Sequence, residues 1–180
     1  NTPARMAEYT HVTDDLGSGP VGGDGDGYAD FVHGYVRTLI RDAYGEPPKV
    51  GVMGSSLGGL ISFHIADRYP GDYDFAASLS GTMGWGSIGA GQMQPTIIER
   101  YAAAGQRSTA LYLDSGGSGT CYDSDQDGIE DDDPSASDNY CENKQLESVL
   151  LAAGYTAGVD LWHWHELGAL HNEAAWADRL

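Results

Sequence analysis

Residues 54–58, Gly-Ser-Ser-Leu-Gly, follow the pattern G-x-S-x-G. In this pattern the central serine lies on a sharp turn between a strand and a helix, which lifts its hydroxyl above the end of the sheet. The apolar run 49–54 and the helical periodicity over 60–69 provide that context. The motif therefore predicts Ser56 as a nucleophile, with the backbone N–H of Leu57 at the helix start as one donor to an oxyanion.

A serine nucleophile needs a general base, and the chain has six histidines. His33 and His64 fall inside predicted helices. His163 and His165 alternate with tryptophans along a predicted strand, where a packing or surface role is expected. His171 follows a short loop between the last predicted strand and the last predicted helix, where an imidazole can reach a serine at the carboxyl end of a sheet. Position therefore predicts His171 as the base.

Strand and helix signals alternate along the rest of the chain. Residues 1–27 are rich in turn formers and predict a loop. Helices are predicted over 28–40, 60–69, 95–104, 139–153 and 172–180, and strands over 49–54, 75–79, 110–113 and 159–164. Strand-then-helix repeated four times predicts an α/β fold, with a parallel sheet that carries helices on both faces. Because no repeat or linker interrupts the pattern, we expect one domain over 1–180.

Between the third of these strands and the next helix lies an inserted loop, 121–141, that is strongly acidic. Residues 123–131 follow D-x-D-x-D-G with a further acid at the ninth position. Calcium takes six to eight oxygen ligands, and this spacing supplies them. The predicted ligands are Asp123, Asp125, Asp127, the carbonyl of Ile129, Asp131 and Asp133. Since Pro134 replaces the acid usual at position twelve, Asp132 or Asp133 must complete the shell, or the affinity will be weak. Because no EF-hand helices are predicted to flank it, the loop looks more like the calcium loops of thrombospondin-type repeats. The alternative is a solvated acidic loop.

Cys121 and Cys141 bracket this insertion. A disulfide closing a loop of that length contributes about 3 kcal/mol. Cysteines that flank a polar loop have little packing to do there, which favours a disulfide over two unrelated buried thiols. A disulfide in turn predicts a secreted or periplasmic protein.

Net charge excludes one class of partner. The formal charge of −18 repels phosphate backbones, so we expect no nucleic-acid partner. No apolar run approaches the roughly 18 residues of a membrane span. No pattern indicates an organic cofactor.

Three segments together resemble a known family: residues 5–10, 54–60 and 168–176. They are similar to the putative-esterase family of α/β-hydrolases, which includes S-formylglutathione hydrolases, feruloyl esterases, enterochelin esterases and mycolyltransferases. The resemblance covers nearly the whole chain. It implies the α/β-hydrolase fold and hydrolysis of a small-molecule or carbohydrate-linked carboxylic ester through an acyl-enzyme.

The resemblance also implies where the acid of a Ser-Asp-His triad lies. In that family the acid follows a strand and a short glycine-containing turn and immediately precedes the next helix, which looks like Asp138. Asp123 is the rival, because residues 119–123 also resemble the turn.

Complete members of the family have further strands before the first residue of this chain, and those strands carry the second oxyanion donor. A sheet beginning at residue 49 would leave the strand 50–53 as an open edge. We therefore expect a longer parent protein or a companion chain to supply the N-terminal strands.

Two alternatives to ester hydrolysis stay open. Acyl transfer to a sugar or other alcohol uses the same chemistry with another acceptor. A non-catalytic, calcium-dependent glycan-binding module would instead stack a sugar on Trp85 and Gly86, with Trp162 and Trp164.

Overall fold

A computed structural model describes residues 3–89 and 94–180 of the predicted domain. The helices among these residues are α1 (Arg5–Glu8), α2 (Gly25–Asp30), α3 (Arg37–Tyr44), α4 (Leu57–Arg68), α5 (Ile97–Ala104), α6 (Tyr140–Ala153) and α7 (Glu173–Asp178). A π-helical segment, Phe31–Val36, joins α2 to α3. None of these helices is long and apolar enough to cross a bilayer.

The strands form one main sheet and two small ribbons. They are β1 (Thr13–Asp15), β2 (Pro20–Gly22), β3 (Gly51–Ser55), β4 (Phe75–Leu79), β5 (Ala110–Ser115), β6 (Cys121–Tyr122), β7 (Asp131–Asp132) and β8 (Leu161–His165). The main sheet has the order β3-β4-β5-β8, and all its pairings are parallel. The predicted parallel sheet flanked by helices is confirmed, and β3 lies at its edge as expected.

One face of this sheet carries the core. Leu60 and Phe63 of α4 pack with Leu111 of β5 and Leu146 of α6, all fully buried. Helix α4 is apolar around most of its circumference because it lies between the sheet and α2, which it also contacts. A Cβ at Gly59 would lie 2.2 Å from the Ser78 hydroxyl, so only glycine lets α4 approach β4 this closely.

The opposite face of the sheet is largely open among the described residues. Met53, Phe75, Trp162 and Trp164 are each between 42% and 57% exposed. At the carboxyl end of this face, Arg179 at the end of α7 meets Asp114 of β5. Helix α7 thus docks beside the strand ends where the predicted catalytic residues lie.

The N-terminal prediction of a loop was wrong. Helix α1 and the β1–β2 hairpin occupy this segment. Asp14, fully buried on β1, accepts hydrogen bonds from the backbone N–H groups of Gly86, Ile88 and Gly89. These partners lie more than 70 residues away, so periodicity within the segment could not reveal the hairpin.

The predicted helix 28–40 is part of a longer helical stretch, from α2 through the π-helical segment to α3. Its apolar residues at the predicted spacing do not all face the core. Phe31, Tyr35 and Leu39 are more than half exposed.

The insertion is a small ribbon closed by the predicted disulfide. Strands β6 and β7 pair antiparallel, and Cys121 is bonded to Cys141. Cys141 lies in the first turn of α6 and is fully buried. The disulfide therefore ties the start of the insertion to the helix that follows it.

Candidate active site

Ser56 stands on a strained turn between β3 and α4. Its backbone angles are φ 57° and ψ −126°, a conformation that non-glycine residues rarely adopt. The Ser56 N–H donates to the carbonyl of Leu79 at 2.8 Å, which holds the turn against β4. A Cβ at Gly54 would lie 2.4 Å from the Gly58 carbonyl, so this glycine lets strand and helix meet closely. Leu57 is the first residue of α4, where backbone N–H groups have no acceptor within the helix.

His171 lies in the loop before α7. Asn172 begins this helix by accepting a hydrogen bond from the Ala175 N–H at 3.1 Å. The imidazole Nδ1 lies 2.7 Å from Oδ1 of Asp138, and the ring packs edge-on against Trp176 with centroids 5.1 Å apart. A proton on Nδ1, donated to the carboxylate, leaves Nε2 as the basic nitrogen.

Ser56 and His171 line the same cavity, of about 730 Å³. In the described structure they share this cavity without a hydrogen bond between them, a separation that unliganded active sites often show. Tyr9, Tyr28 and Trp176 give the cavity aromatic walls. A small organic molecule has room to lie between the serine and the imidazole.

Asp138 is fully buried at the entrance to α6. Its Oδ1 faces His171, and its Oδ2 accepts from the Ser80 hydroxyl at 2.7 Å and from Nη1 of Arg179 at 3.2 Å. Burial alone would raise the pKa of Asp138, but the hydrogen bonds from His171 and Ser80, together with the charges of His171 and Arg179, outweigh it and lower that pKa. The carboxylate is held ionised.

A second buried aspartate shares the same arginine. Asp114 Oδ1 lies 3.1 Å from Nη2 of Arg179, and both side chains are fully buried. Burial raises the pKa of Asp114 to about 6, because the attraction of Arg179 only partly offsets it. Two carboxylates therefore compete for one guanidinium beneath the site.

The acidic loop gathers three of its predicted ligands. Oxygens of Asp123, Asp125 and Asp127 lie within 4.8 Å of one another. Backbone N–H groups of the loop, including those of Asp127 and Gly128, donate to these carboxylates and hold the turn. The oxygen-rich cluster suits a hard cation such as Ca²⁺.

The other predicted ligands have different partners. Asp131 accepts from the backbone and hydroxyl of Ser124, and Asp133 from those of Ser135. Ile129 places its side chain in the core, 6% exposed. The structure thus does not bring Asp131 and Asp133 into the group of three carboxylates, because serines in the same loop hold them.

A family profile described as "Putative esterase" matches residues 16–180. The chain belongs to this family. The match spans the serine motif, the acidic insertion and the His171 segment. No curated protein matches the sequence of this chain at a significant level.

Solved structures with the same fold include three esterase-family proteins. Siderophore hydrolase EstA from Aspergillus nidulans is 20% identical with a TM-score of 0.63, over 99% of this chain and 65% of that one. MPT51 from Mycobacterium tuberculosis is 14% identical with a TM-score of 0.62, over 97% and 70%. The enterobactin esterase FES from Shigella flexneri is 16% identical with a TM-score of 0.54, over 78% and 33%. At these identities the likeness shows the fold, and this putative-esterase chain spans only a third of FES.

Of the two acids that the sequence offered, the structure brings Asp138 to His171. Asp123 lies in the acidic cluster instead. The N–H groups at the start of α6 bond to another carboxylate, that of Asp132, which accepts from the N–H groups of Asp138, Tyr140 and Cys141.

Three residues around Asp138 were not found from the sequence: Ser80, Asp114 and Arg179. Ser80 directly follows β4, Asp114 lies on β5 and Arg179 directly follows α7, so they meet only in the folded chain. The one available signal was an arginine eight residues after His171 in a chain with nine Lys and Arg.

The remaining histidines have partners away from Ser56. Their contacts are His11 with the Pro95 carbonyl, His33 with Tyr69, His64 with Asp26, His163 with Glu147 and His165 with Tyr140. His33, His64, His163 and His165, which the sequence assigned packing or surface roles, thus have partners of their own.

Trp85 does not offer a stacking surface. It is 2% exposed, and its Nε1 donates to the Val12 carbonyl at 2.8 Å. The glycan platform considered around Trp85 was therefore wrong at that residue, while Trp162 and Trp164 lie exposed on β8.

Proposed function

We propose that this protein is a serine carboxylic ester hydrolase that acts through an acyl-enzyme. The observation that carries the proposal is the 2.7 Å contact between His171 and the buried Asp138, beside a cavity that Ser56 also lines. Family membership supports the reaction class. Ser56 is the nucleophile, His171 the general base and acid, and Asp138 the residue that orients the imidazole.

The proposed reaction has two halves. Ser56 Oγ attacks the ester carbonyl while His171 Nε2 takes the hydroxyl proton. The oxyanion forms at the start of α4, where the Leu57 N–H donates to it. His171 then protonates the leaving alcohol, and the acyl group stays on Ser56. In the second half, a water molecule attacks the acyl carbonyl while His171 Nε2 takes its proton. His171 then returns that proton to Ser56 Oγ, and the carboxylic acid leaves.

The volume of the cavity supports a small-molecule or carbohydrate-linked ester as the substrate. Tyr9, Tyr28 and Trp176 provide aromatic surface for an acyl or alcohol group, and Arg5 adds a positive charge at the same wall. No described residue discriminates between these two parts of the ester.

An ester panel tests the function. The intact protein is assayed with p-nitrophenyl esters of increasing chain length, feruloyl esters and acetylated sugars. Wild type should hydrolyse at least one class. Ser56→Ala should lower kcat by about 10⁴-fold or more, whereas Ser55→Ala should stay within a few-fold. Equal activity of Ser56→Ala and wild type would contradict the proposal. If a new ester formed when an acceptor alcohol was added to the assay, the reaction would be acyl transfer instead.

We further propose that the acidic loop binds a structural Ca²⁺ ion. Asp123, Asp125 and Asp127 are suited to hold it, with the Ile129 carbonyl as a fourth ligand. The ion would offset the repulsion among these carboxylates and fix the insertion beside α6, which carries Asp138 next to its first turn. Asp131 and Asp133 would have to leave their serine partners to join the shell. Calorimetric titration of chelated protein with Ca²⁺ should show binding heat.

The open edge of β3 supports a proposal about partners. Unpaired strand edges invite pairing, and Met53 on this strand is 56% exposed. We propose that another polypeptide segment, of the parent chain or a companion chain, pairs there and supplies the second oxyanion donor. Hydrogen exchange on the intact protein should show protected β3 amides on the outer edge, and fast exchange would contradict it.

The disulfide supports a location. Bonds such as Cys121–Cys141 persist in oxidising compartments. We propose a secreted or periplasmic protein, which localisation of a tagged protein in the source cells would test.

A further inference from the structure

A buried guanidinium lies beneath the proposed active site. Arg179, at the end of α7, has no exposed side-chain surface. Its Nη1 contacts Asp138 Oδ2 at 3.2 Å, and its Nη2 contacts Asp114 Oδ1 at 3.1 Å and Ser80 Oγ at 2.7 Å. Arginine is almost never fully buried without such partners, so its burial here has a specific cause.

The contacts of Arg179 constrain the carboxylate of Asp138. One oxygen, Oδ1, faces His171. The other, Oδ2, accepts from Arg179 and Ser80. Because both oxygens have fixed partners, rotation of the carboxylate away from the imidazole would break hydrogen bonds at both ends.

Ser80 connects the arginine to the rest of the site. Ser80 directly follows β4, and its backbone φ of 48° is unusual for a non-glycine residue. Its Oγ also accepts from Trp176 Nε1 at 3.1 Å, and Trp176 packs against His171. The docking of α7 thus sets the positions of Asp138 and His171 together.

We propose that Arg179 is a positioning residue, whose guanidinium fixes the orientation and the ionised state of Asp138 and so sets the pH range in which His171 acts as base. The proposal rests on the proposed esterase function. The proposed role predicts a change in pH dependence, which a purely structural contact would not produce. Removing a buried positive charge makes the first protonation of the coupled Asp138–His171 pair easier, whichever group takes the proton.

The test needs a background in which Asp114 is not left as an unpaired buried charge. Asp114→Asn provides it, because Arg179 keeps Asp138 as its partner there. In the intact protein, Asp114→Asn is compared with Asp114→Asn/Arg179→Met and Asp114→Asn/Arg179→Lys. The readouts are kcat and KM against pH, and the NMR titration midpoint of the His171 ring.

The methionine variant should move both the acidic limb of kcat/KM and the His171 midpoint up by about one pH unit relative to Asp114→Asn. It should lower kcat at pH 7 by about 10- to 100-fold with KM little changed. The lysine variant should keep the midpoint, since the charge stays, but lose kcat about 10-fold, because a point charge does not replace the planar fork.

An unchanged midpoint and kcat in the methionine variant would overturn the proposal and leave Arg179 a structural residue. If that variant does not fold, the lysine variant decides: full kcat contradicts the proposal, and a loss in kcat with an unchanged midpoint supports it. Failure of the esterase function is distinguishable, because it would appear as an inactive wild type. The His171 midpoint would still report on Arg179 in that case.

Discussion

Two carboxylates four residues apart, Asp138 and Glu142, are both buried and have opposite electrostatic surroundings. Asp138 faces His171, Ser80 and Arg179, which lower its pKa. Glu142 lies beneath the acidic insertion and is 8% exposed. Burial raises its pKa to about 8, and the charges of Asp131 and Asp132 add to this, whereas N–H groups such as that of Gly84 oppose it. The surroundings of Asp138 favour its ionised form, whereas burial favours the protonated form of Glu142 at neutral pH.

The contrast extends to the two regions. The region around Asp138 joins residues from β4, β5, α6 and α7 through partners of opposite charge. The insertion gathers residues close in sequence, and residues 121–141 hold eight Asp and Glu but no Lys or Arg. The first region pairs carboxylates with a guanidinium and an imidazole, while the second concentrates like charges, which the proposed Ca²⁺ ion would offset. Each variant below is matched by a second carboxylate variant that should show little or no effect.

The largest effect is expected at Asp138, the proposed triad acid. Asp138→Asn should lower kcat by about 10²- to 10⁴-fold, because an amide cannot hold the imidazole as the carboxylate does. Asp123→Asn, in the insertion, should stay within about threefold. Steady-state kinetics at saturating Ca²⁺ measures both. A larger loss in Asp123→Asn would reverse the assignment of the acid.

Glu142 should make the protein less stable as pH rises. Its folded pKa of about 8 lies above the ordinary 4.5, so the folded state keeps a proton that the unfolded chain releases. The stability is greatest below pH 4.5 and falls as pH approaches 8, by an amount on the order of 5 kcal/mol. Glu142→Gln should flatten this slope, and Glu130→Gln, exposed on the insertion, should not. Urea unfolding between pH 5 and 8 measures the free energy of unfolding of both variants. If that free energy fell equally with pH in Glu142→Gln and in wild type, the contrast with Asp138 would be refuted.

Removing Ca²⁺ should destabilise the insertion and leave the reaction chemistry intact. At a hundredfold excess over its dissociation constant, a ligand stabilises by about 2.7 kcal/mol. Chelation should therefore lower Tm by roughly 5 to 10 °C. Asp125→Asn should abolish that difference, while Asp42→Asn on α3 should preserve it. If neither the chelator nor Asp125→Asn changed Tm, the loop would be a solvated acidic loop without a bound ion.

The smallest effect concerns Asp132, which links the two regions. Its carboxylate accepts from the N–H groups at the start of α6, that of Asp138 included. Asp132→Ala should cost about 1 to 2 kcal/mol of stability and lower kcat by a few-fold. Asp133→Ala, whose carboxylate faces Ser135, serves as the control. Equal unfolding midpoints for the two variants would show that the insertion does not support Asp138.

The sequence predicted most of the fold because the pattern is local. Strand bounds over 75–79 were predicted without error, and β3, β5 and β8 within two residues. Ser56 and His171 were predicted from position, and the spacing of Asp123, Asp125 and Asp127 anticipated their cluster. Elements held by distant contacts were missed: the β1–β2 hairpin depends on Asp14 binding the Gly86–Gly89 backbone.

The surroundings of Asp138 escaped prediction for the same reason. Arg179 and Ser80 lie 99 residues apart and reach Asp138 only after α7 docks on the sheet. No periodicity or motif encodes that meeting. The choice between Asp138 and Asp123 likewise needed the fold, since both follow plausible turns in the sequence.

Covalent labelling tests the central claim most directly. The intact protein is treated with a fluorophosphonate, digested, and its peptides identified by mass spectrometry. The account predicts one adduct on Ser56, with labelling slowed strongly in Asp138→Asn and unaffected in Asp123→Asn. An unlabelled Ser56 in folded wild-type protein, or an adduct on Ser55 instead, would contradict it.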